Sequence, residues 1–530
     1  MDNKTLKDNW HIYMEKPSLW HNKFHLEMPF GLVNDPNGLC VYNGKYQIFY
    51  QWNPTGCQHI NKHWGYTTTT DFINYSIPQL ALAPIDDFDK NGCYSGSARV
   101  NNNRLELVYT ANLKDANNIR YPRQVLAIKN DDGSFSKKEI LVDDVPSGYT
   151  THFRDPYLFK HSNRSFFIIG AQRENLTGCA LIYEEVNNAW QLRGELKTDY
   201  KDFGYMWECP NFINIDGHDV LIFCPQGIKA QGHKYNNIYQ AGYLIGKFNP
   251  DTLKFTHGEF QELDHGFDFY APQVLVNKNR NILIGWIGMP EKESEYPTTN
   301  EGWIYSLTIP RELHIKNNII YQTPVQELNA LNKNNETYLN CQDLILNTPC
   351  KITLDIDMTD KNYWQGDFEI GGDILKLSFD KNTQEFCVNR DDLSLHANFA
   401  SLSESTTIPV STLKEILRPM PPKHPNKVKP SKDNLDQRLR DFTNKLIQEG
   451  KISQQEVDSI GDFIQSGHDK FKQMDKAQRD ELMNQYRNMT DAERLKQFSD
   501  GTGIPVERLQ EIFNIFKTEM NNKLSQTSPE

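Results

Sequence analysis

Val41-Tyr42-Asn43-Gly44-Lys45-Tyr46-Gln47-Ile48-Phe49-Tyr50-Gln51 sets two β-branched and aromatic runs on either side of an Asn-Gly dipeptide. Asn-Gly is a turn signal, so the stretch reads as two short strands joined by a tight reversal. The same pattern extends over about the first 330 residues. Leu105 to Tyr109, Ser165 to Gly170, Val220 to Cys224 and Ile282 to Ile287 have strand composition. Asn-Gly recurs at 37–38 and 91–92, and Asp-Gly at 132–133 and 216–217. No long amphipathic helix is read in this part. Short strands with dense turn dipeptides predict a mainly β, antiparallel architecture: a barrel, a sandwich or a propeller. No strict repeat of about 40 residues selects among the three.

From about Glu336 to Ala400 the pattern stays β-like. Ile352 to Met358 alternates strictly, and Leu375 to Phe379 does so again, which is too few strands to close a sandwich. Then the composition changes. No tryptophan follows Trp364, no cysteine follows Cys387, and Tyr486 is the single tyrosine after Ala400. Pro419 to Pro430 holds five prolines in twelve residues, a stiff linker within 401–432. Beyond it the period is helical. Leu435, Leu439, Phe442, Leu446 and Ile447 share one face of a segment that stops at Gly450. Val506, Leu509, Ile512, Phe513 and Phe516 form the last apolar face. Ser453-Gln454-Gln455-Glu456 and Thr490-Asp491-Ala492-Glu493 are capping-box patterns. The expected division is therefore 1–330, 331–400, a linker at 401–432 and an α-helical module at 433–530.

Bulk properties exclude several classes. At 530 residues the chain exceeds the size of one hydrophobic core. The net charge is −12, and residues 401–530 carry 20 charges of each sign, so the whole excess lies in the first 400. An acidic body without a basic stripe is a poor nucleic-acid binder. No apolar run of about 18 residues marks a membrane helix, and the first twenty residues lack the pattern of a secretory leader. A cytoplasmic protein is expected, with its nine scattered cysteines as reduced, buried thiols. No metal-ligand spacing is present, and no cofactor is expected.

Three carboxylates stand out. Asp35 lies in Asn34-Asp35-Pro36-Asn37-Gly38, and Asp155 follows Arg154 and precedes Pro156. Taken alone, each reads as a turn: an Asx-turn at Asp35 and a local ion pair at Asp155. Glu208 sits in Met206-Trp207-Glu208-Cys209-Pro210, beside a bulky aromatic and a thiol. Such surroundings disfavour the charged carboxylate, which suits a general acid.

Together these motifs resemble glycoside hydrolase family 32, the invertase and fructanase family. The resemblance runs from Trp20 to about Leu328. It is carried by Phe30-Gly31-Leu32-Val33-Asn34-Asp35-Pro36-Asn37-Gly38, Tyr50-Gln51-Trp52-Asn53-Pro54, Tyr94-Ser95-Gly96-Ser97-Ala98, His152-Phe153-Arg154-Asp155-Pro156, Trp207-Glu208-Cys209-Pro210, Phe269-Tyr270-Ala271-Pro272-Gln273, Gly285-Trp286 and Leu307-Thr308-Ile309-Pro310-Arg311-Glu312-Leu313. It implies a five-bladed β-propeller with the active site at one end of its axis, followed by a β-sandwich. It further implies Asp35 as nucleophile, Glu208 as acid/base, and Asp155 with Arg154 as the pair that holds fructosyl hydroxyls. Asn34, Gln51, Tyr94, Ser95 and Trp286 fall where the family contacts the fructosyl unit. Leu32 and Val33 replace a common Trp-Met and are placed with the substrate contacts as apolar pocket residues. The implied reaction is retaining hydrolysis of a β-fructofuranosyl bond, with the two carboxyls roughly 5–5.5 Å apart.

Within the family, Asn61-Lys62-His63-Trp64-Gly65, Asp89-Lys90-Asn91-Gly92-Cys93-Tyr94 and Lys234-Tyr235-Asn236-Asn237-Ile238-Tyr239-Gln240 look like the bacterial sucrose-6-phosphate hydrolase subgroup. Lys62, His63 and Lys234 are the candidate phosphate contacts. The expected substrate is sucrose 6-phosphate or sucrose. The rivals are a fructosyltransferase with the same triad and a non-catalytic sugar-binding protein. The resemblance fades after Arg390. The helical module is left as a surface bundle or a site for a protein partner.

Overall fold

Six hairpins show why the chain turns where it does. Asn43-Gly44, Asn102-Asn103, Ser162-Asn163, Asn187-Asn188, Asp216-Gly217 and Asn317-Asn318 each place two consecutive residues at positive φ. Each pair joins two directly paired antiparallel strands. Two left-handed residues give the reversal whose twist matches that of the strands, and Asn, Asp and Gly adopt it most cheaply.

The computed structural model describes residues 3–15, 20–22, 24–232, 234–266, 268–290, 296–332, 352, 354–370, 373–392, 451–456, 459, 478 and 491–512. The chain divides into two compact units, Met1–Arg418 and Pro419–Glu530.

The first unit is mainly β, as expected. Five antiparallel sheets follow one another along the chain. Sheet 1 contains Gly31–Tyr42, Lys45–Asn53, His63–Thr69 and Gln79–Leu82. Sheet 2 contains Cys93–Asn101, Arg104–Lys114, Arg120–Lys129 and Phe135–Val142. Sheet 3 contains Tyr149–His161, Arg164–Arg173, Gly178–Val186 and Ala189–Glu195. Sheet 4 is built on Met206–Ile215, His218–Gln226, Gly242–Asn249 and Lys254–His257. Sheet 5 is built on Tyr270–Asn277, Arg280–Ile287, Arg311–Lys316 and Ile319–Pro324.

The first strand of each sheet lies against the first strand of the next, and that of sheet 5 returns to sheet 1. Polar side chains stitch this ring. Ser97 Oγ donates to the Pro156 carbonyl, Asn211 Nδ2 to that of Pro272, and Gln273 Oε1 accepts from the Leu39 N–H. Late residues complete sheet 1, because Trp303–Ile304 pairs in parallel with Gly31-Leu32. The apolar core is divided among the gaps between sheets. The largest cluster joins sheets 3, 4 and 5 through residues such as Phe166, Phe212, Val220, Phe248 and Val274.

Three expectations need correction. Asn37-Gly38 is not a turn but part of the strand Gly31–Tyr42, where Gly38 and Leu39 face Ile48 alone. A Cβ on Gly38 would lie 2.8 Å from the Phe49 ring, so the glycine serves close packing. A helix, Asn3–Met14, was not anticipated. Its Leu6 is fully buried, and Asn3 exchanges hydrogen bonds with the backbone of Leu80 on an edge strand of sheet 1. Ile352 to Met358, so far as it is described, is not a strand. Ile352, Leu354 and Ile356 stay exposed and Asp357 caps a turn at Thr359, so the alternation is not packed on any of the described residues as a strand face would be.

Leu375 to Phe379 does lie in a strand. It is the centre of sheet 6, formed by Tyr363–Ile370, Asp373–Asp380 and Glu385–Asp392. The linker at 401–432 and the face from Leu435 to Ile447 lie outside the described residues, as do Thr490, Phe513 and Phe516.

In the second unit the capping box at Ser453 and Glu456 forms as expected. The Ser453 N–H meets the glutamate at 2.7 Å and the Glu456 N–H meets the serine at 3.1 Å. A helix spans Asp491–Thr502, and Leu509 and Ile512 are buried. No helix among the described residues is long and apolar enough to cross a membrane.

Candidate active site

Each of the five first strands carries a bulge on one of the motifs, two residues opposite one. Asn34-Asp35 faces Gln51, Tyr94-Ser95 faces Thr110, and Asp155-Pro156 faces Ile169. Cys209-Pro210 faces Phe223, and Ala271-Pro272 faces Gly285. Proline fits there because a bulge interrupts the ladder that would otherwise need its missing N–H. Asp155, Cys209 and Ala271 also sit at positive φ (70°, 47° and 45°). This strained backbone is held by the packed sheets around it. The Asp-Pro dipeptides therefore lie at bulges within strands and are not the turns that they suggest in isolation.

The bulges change which side chains meet. In a regular strand neighbouring side chains point to opposite faces. Here Asn34 Nδ2 donates to the carboxylate of its own neighbour, Asp35, at 2.8 Å. Ser95 Oγ donates to the other Asp35 oxygen at 2.6 Å, from sheet 2. Cys209 Sγ lies 3.8 Å from Asp35 Oδ2 and 3.6 Å from Asp155 Oδ2, and so links the two aspartates. The Cys209 N–H donates to Asp155 at 3.0 Å. Three carboxylates from sheets 1, 3 and 4 thus form one cluster.

Glu208 differs from its expected setting. Trp207 is buried and its indole N–H donates to the Phe203 carbonyl. The Glu208 carboxylate meets donors on every side. Arg154 reaches Oε1 through Nε at 2.9 Å and Nη2 at 2.6 Å, while Gln226 Nε2 and Tyr270 Oη reach Oε2 at 2.7 and 2.6 Å. Arg154 accordingly pairs with Glu208 and not with its sequence neighbour Asp155. Burial pushes the Asp155 carboxyl well above its ordinary range; the Arg154 charge opposes this, and Glu208 and Asp35 add to it. Burial also raises the Tyr270 hydroxyl and the Cys209 thiol far above their usual values, so both keep their protons.

The remaining candidates divide. Gln51 is buried and donates to the Cys93 carbonyl, and Tyr94 is half-buried beside Ser95. Trp286 is buried, packed edge-on to His59 and Tyr305, and its indole N–H has no hydrogen-bond partner among the described residues. Leu32 and Val33 are 0% and 1% exposed and belong to two apolar clusters, so their side chains serve packing and not the cluster of carboxylates.

The phosphate candidates fare unevenly. Lys62 is buried, and its ammonium is shared between Asn34 Oδ1 and His59 Nδ1. Because an ammonium only donates, it fixes the Asn34 amide with its NH2 toward Asp35. His63 is bonded to the Asn61 carbonyl, and burial holds its imidazole below its usual pKa. Lys234 is exposed. Gln226, Tyr270, Cys209 and His59 were not singled out. Cys209-Pro210 and Ala271-Pro272 repeat the X-Pro signature of Asp35-Pro36 and Asp155-Pro156, a signal that marks two of them.

The family model for the glycosyl hydrolases family 32 N-terminal domain matches residues 25–324. A sucrose-6-phosphate hydrolase of Bacillus subtilis is 44% identical over 318 residues, covering 59% of this chain and 66% of that protein. The solved structure of sucrose-6-phosphate hydrolase from Lactobacillus gasseri superposes with a TM-score of 0.66 at 31% identity, covering 75% of this chain and 83% of that one. A GH32 beta-fructofuranosidase of Bombyx mori gives 0.63 at 27%, covering 73% and 84%. The chain spans about two thirds of the length of the curated relatives it matches. With the motifs, the ring of sheets and these likenesses in agreement, the chain belongs to glycosyl hydrolases family 32.

Proposed function

We propose that the chain is a retaining β-fructofuranosidase that hydrolyses sucrose 6-phosphate or sucrose. The observation that carries the proposal is the cluster of Asp35, Asp155 and Glu208, delivered by three sheets and held by Ser95, Asn34, Arg154 and Tyr270. In this reading the five sheets are the blades of a propeller, the cluster lies at one end of its axis, and catalysis is confined to residues 1–330. Sheet 6 is the start of a second, sandwich-type domain.

Asp35 Oδ attacks the anomeric carbon of the fructosyl unit as the bond to the leaving oxygen breaks. Glu208 gives its proton to that oxygen, so the leaving sugar departs as an alcohol. Glu208 then takes a proton from water, whose oxygen displaces Asp35 and restores the carboxylate. Two displacements retain configuration. Asp155, beside Asp35 through the Cys209 thiol, accepts hydrogen bonds from fructosyl hydroxyls as charge develops on the ring. Ser95 and Asn34 hold Asp35 in line for attack. A transferase would pass the same fructosyl group to a sugar hydroxyl in the second step.

Reducing-sugar release is to be measured from sucrose and from sucrose 6-phosphate, with Asp35→Ala as the blank. Turnover that falls by about 10⁴-fold or more in the variant supports the proposal. Folded protein with no turnover of either substrate refutes it. Transfer products dominating at high sucrose would favour the transferase.

A further inference from the structure

Nine arginines with described side chains are buried or half-buried, and eight of them hold a carboxylate. Arg120 is the exception. Its guanidinium lies 5.4 Å over the ring of Tyr94, next in sequence to the Ser95 that binds Asp35. No carboxylate among the described residues pairs with this half-buried cation, and an unpaired guanidinium in an acidic body can receive an anion.

A second donor lies beside it. His152 Nδ1 faces Arg154 Nη1 at 3.1 Å. A guanidinium only donates, so Nδ1 supplies the lone pair and the proton resides on Nε2. That N–H has no hydrogen-bond partner among the described residues. Burial, followed by the charges of Arg154 and Arg120, keeps the imidazole below its usual pKa. Arg154 in turn grips Glu208. Arg120 thus reaches the carboxylate cluster through Tyr94 and Ser95, and His152 reaches it through Arg154 and Glu208.

We infer that Arg120 and the Nε2–H of His152 form the subsite for the phosphate of a phosphorylated leaving sugar. The inference rests on the fructosidase reading and refines it. A phosphate dianion approaching three carboxylates is repelled unless a cation meets it at the rim. Lys62 is committed to Asn34 and His59, and His63 to a backbone carbonyl. Arg120 offers the planar fork that matches phosphate oxygens, and His152 adds a neutral donor that brings no second charge toward Arg154.

The test is kcat/KM for sucrose 6-phosphate and for sucrose in the wild type, Arg120→Gln, Arg120→Lys and His152→Gln, each checked for an unchanged thermal transition. The wild type should prefer the phosphorylated sugar. The ratio of the two kcat/KM values should fall at least about ten-fold in Arg120→Gln, less in Arg120→Lys, and several-fold in His152→Gln. Glucose 6-phosphate should inhibit the wild type at lower concentration than glucose, and Arg120→Gln should close that gap. A wild-type preference that survives in both Gln variants overturns the subsite and leaves the fructosidase intact. Turnover of sucrose without preference for its phosphate overturns the subsite too. No turnover of either substrate sinks the fructosidase reading and the subsite with it.

Discussion

Sheets 1 to 5 and sheet 6 are made of the same material, short alternating strands with polar turns, but they bury very different amounts of it. Ile282, Leu283 and Ile284 in sheet 5 are at most 2% exposed. In sheet 6, Tyr363 is 50% exposed and Phe386 61%. The first five sheets lie against one another, so the apolar residues of their inner strands are covered, while outer positions such as Leu192 and Tyr321 stay exposed. Alternation alone specifies a strand's two faces and says nothing about whether either will be covered. The ring supplies the cover, and only there does the backbone tolerate five bulges and three left-handed non-glycine residues around one site.

The comparison can be broken most forcefully at glycine. A Cβ at Gly170 would lie 1.9 Å from the backbone oxygen of Trp207, which cannot move without shifting the strand that carries Glu208. Gly170→Ala should cost about 4 kcal/mol or more, or yield no folded protein, by chemical denaturation. Gly366→Ala in sheet 6 meets only the side chain of Trp364 at 2.7 Å, which can turn aside, and should cost about 1 kcal/mol or less. Equal losses would mean that the two regions are equally constrained.

Truncation of aromatics should give a similar contrast on a smaller scale. Phe223 is wholly buried, and Phe223→Ala should destabilise by about 3–4 kcal/mol, whereas Phe386→Ala should stay within about 0.5. A large loss at Phe386 would show that sheet 6 is covered in solution.

The mildest effect concerns the stability given up at the centre of the ring. Asp155 is raised in the fold by burial, so its contribution to stability is fully present below the ordinary carboxyl pKa and is lost as pH rises through the raised value. Asp155→Asn, which removes the charge, should therefore stabilise by about 1–3 kcal/mol near pH 8 and scarcely at all near pH 4. Thermal melts across that range check it, and a gain independent of pH would contradict the burial argument. Activity should fall in the same variant, so stability and turnover move in opposite directions.

Much of this was legible in the residues. Strand runs and turn dipeptides report local backbone preference, and the motifs named Asp35, Asp155 and Glu208 before any coordinates. What was not legible depends on where a face ends up. Ile352 to Met358 alternates as well as any strand in the ring, yet Ile352, Leu354 and Ile356 stay exposed. Asn37-Gly38 has turn chemistry, yet Gly38 is required by the Phe49 ring from the neighbouring strand. The surroundings of Glu208 misled because Trp207, its neighbour in sequence, faces away, while Arg154, Gln226 and Tyr270 arrive from other strands. Arg120 carried no local signal and His152 stood only as part of the motif around Asp155, since an arginine without a partner is recognised only once all the partners are in place.

The parallel pairing of Gly31-Leu32 with Trp303–Ile304 sets an order of events during synthesis. Once Asp35 is made, its strand waits for about 270 more residues before its parallel neighbour exists. At 5–20 residues per second the wait is roughly 15–55 s. Throughout it the strand that bears Asp35 has an open edge, and sheet 1 stays incomplete. The three carboxylates are thus all made before the sheet that holds the first of them is complete.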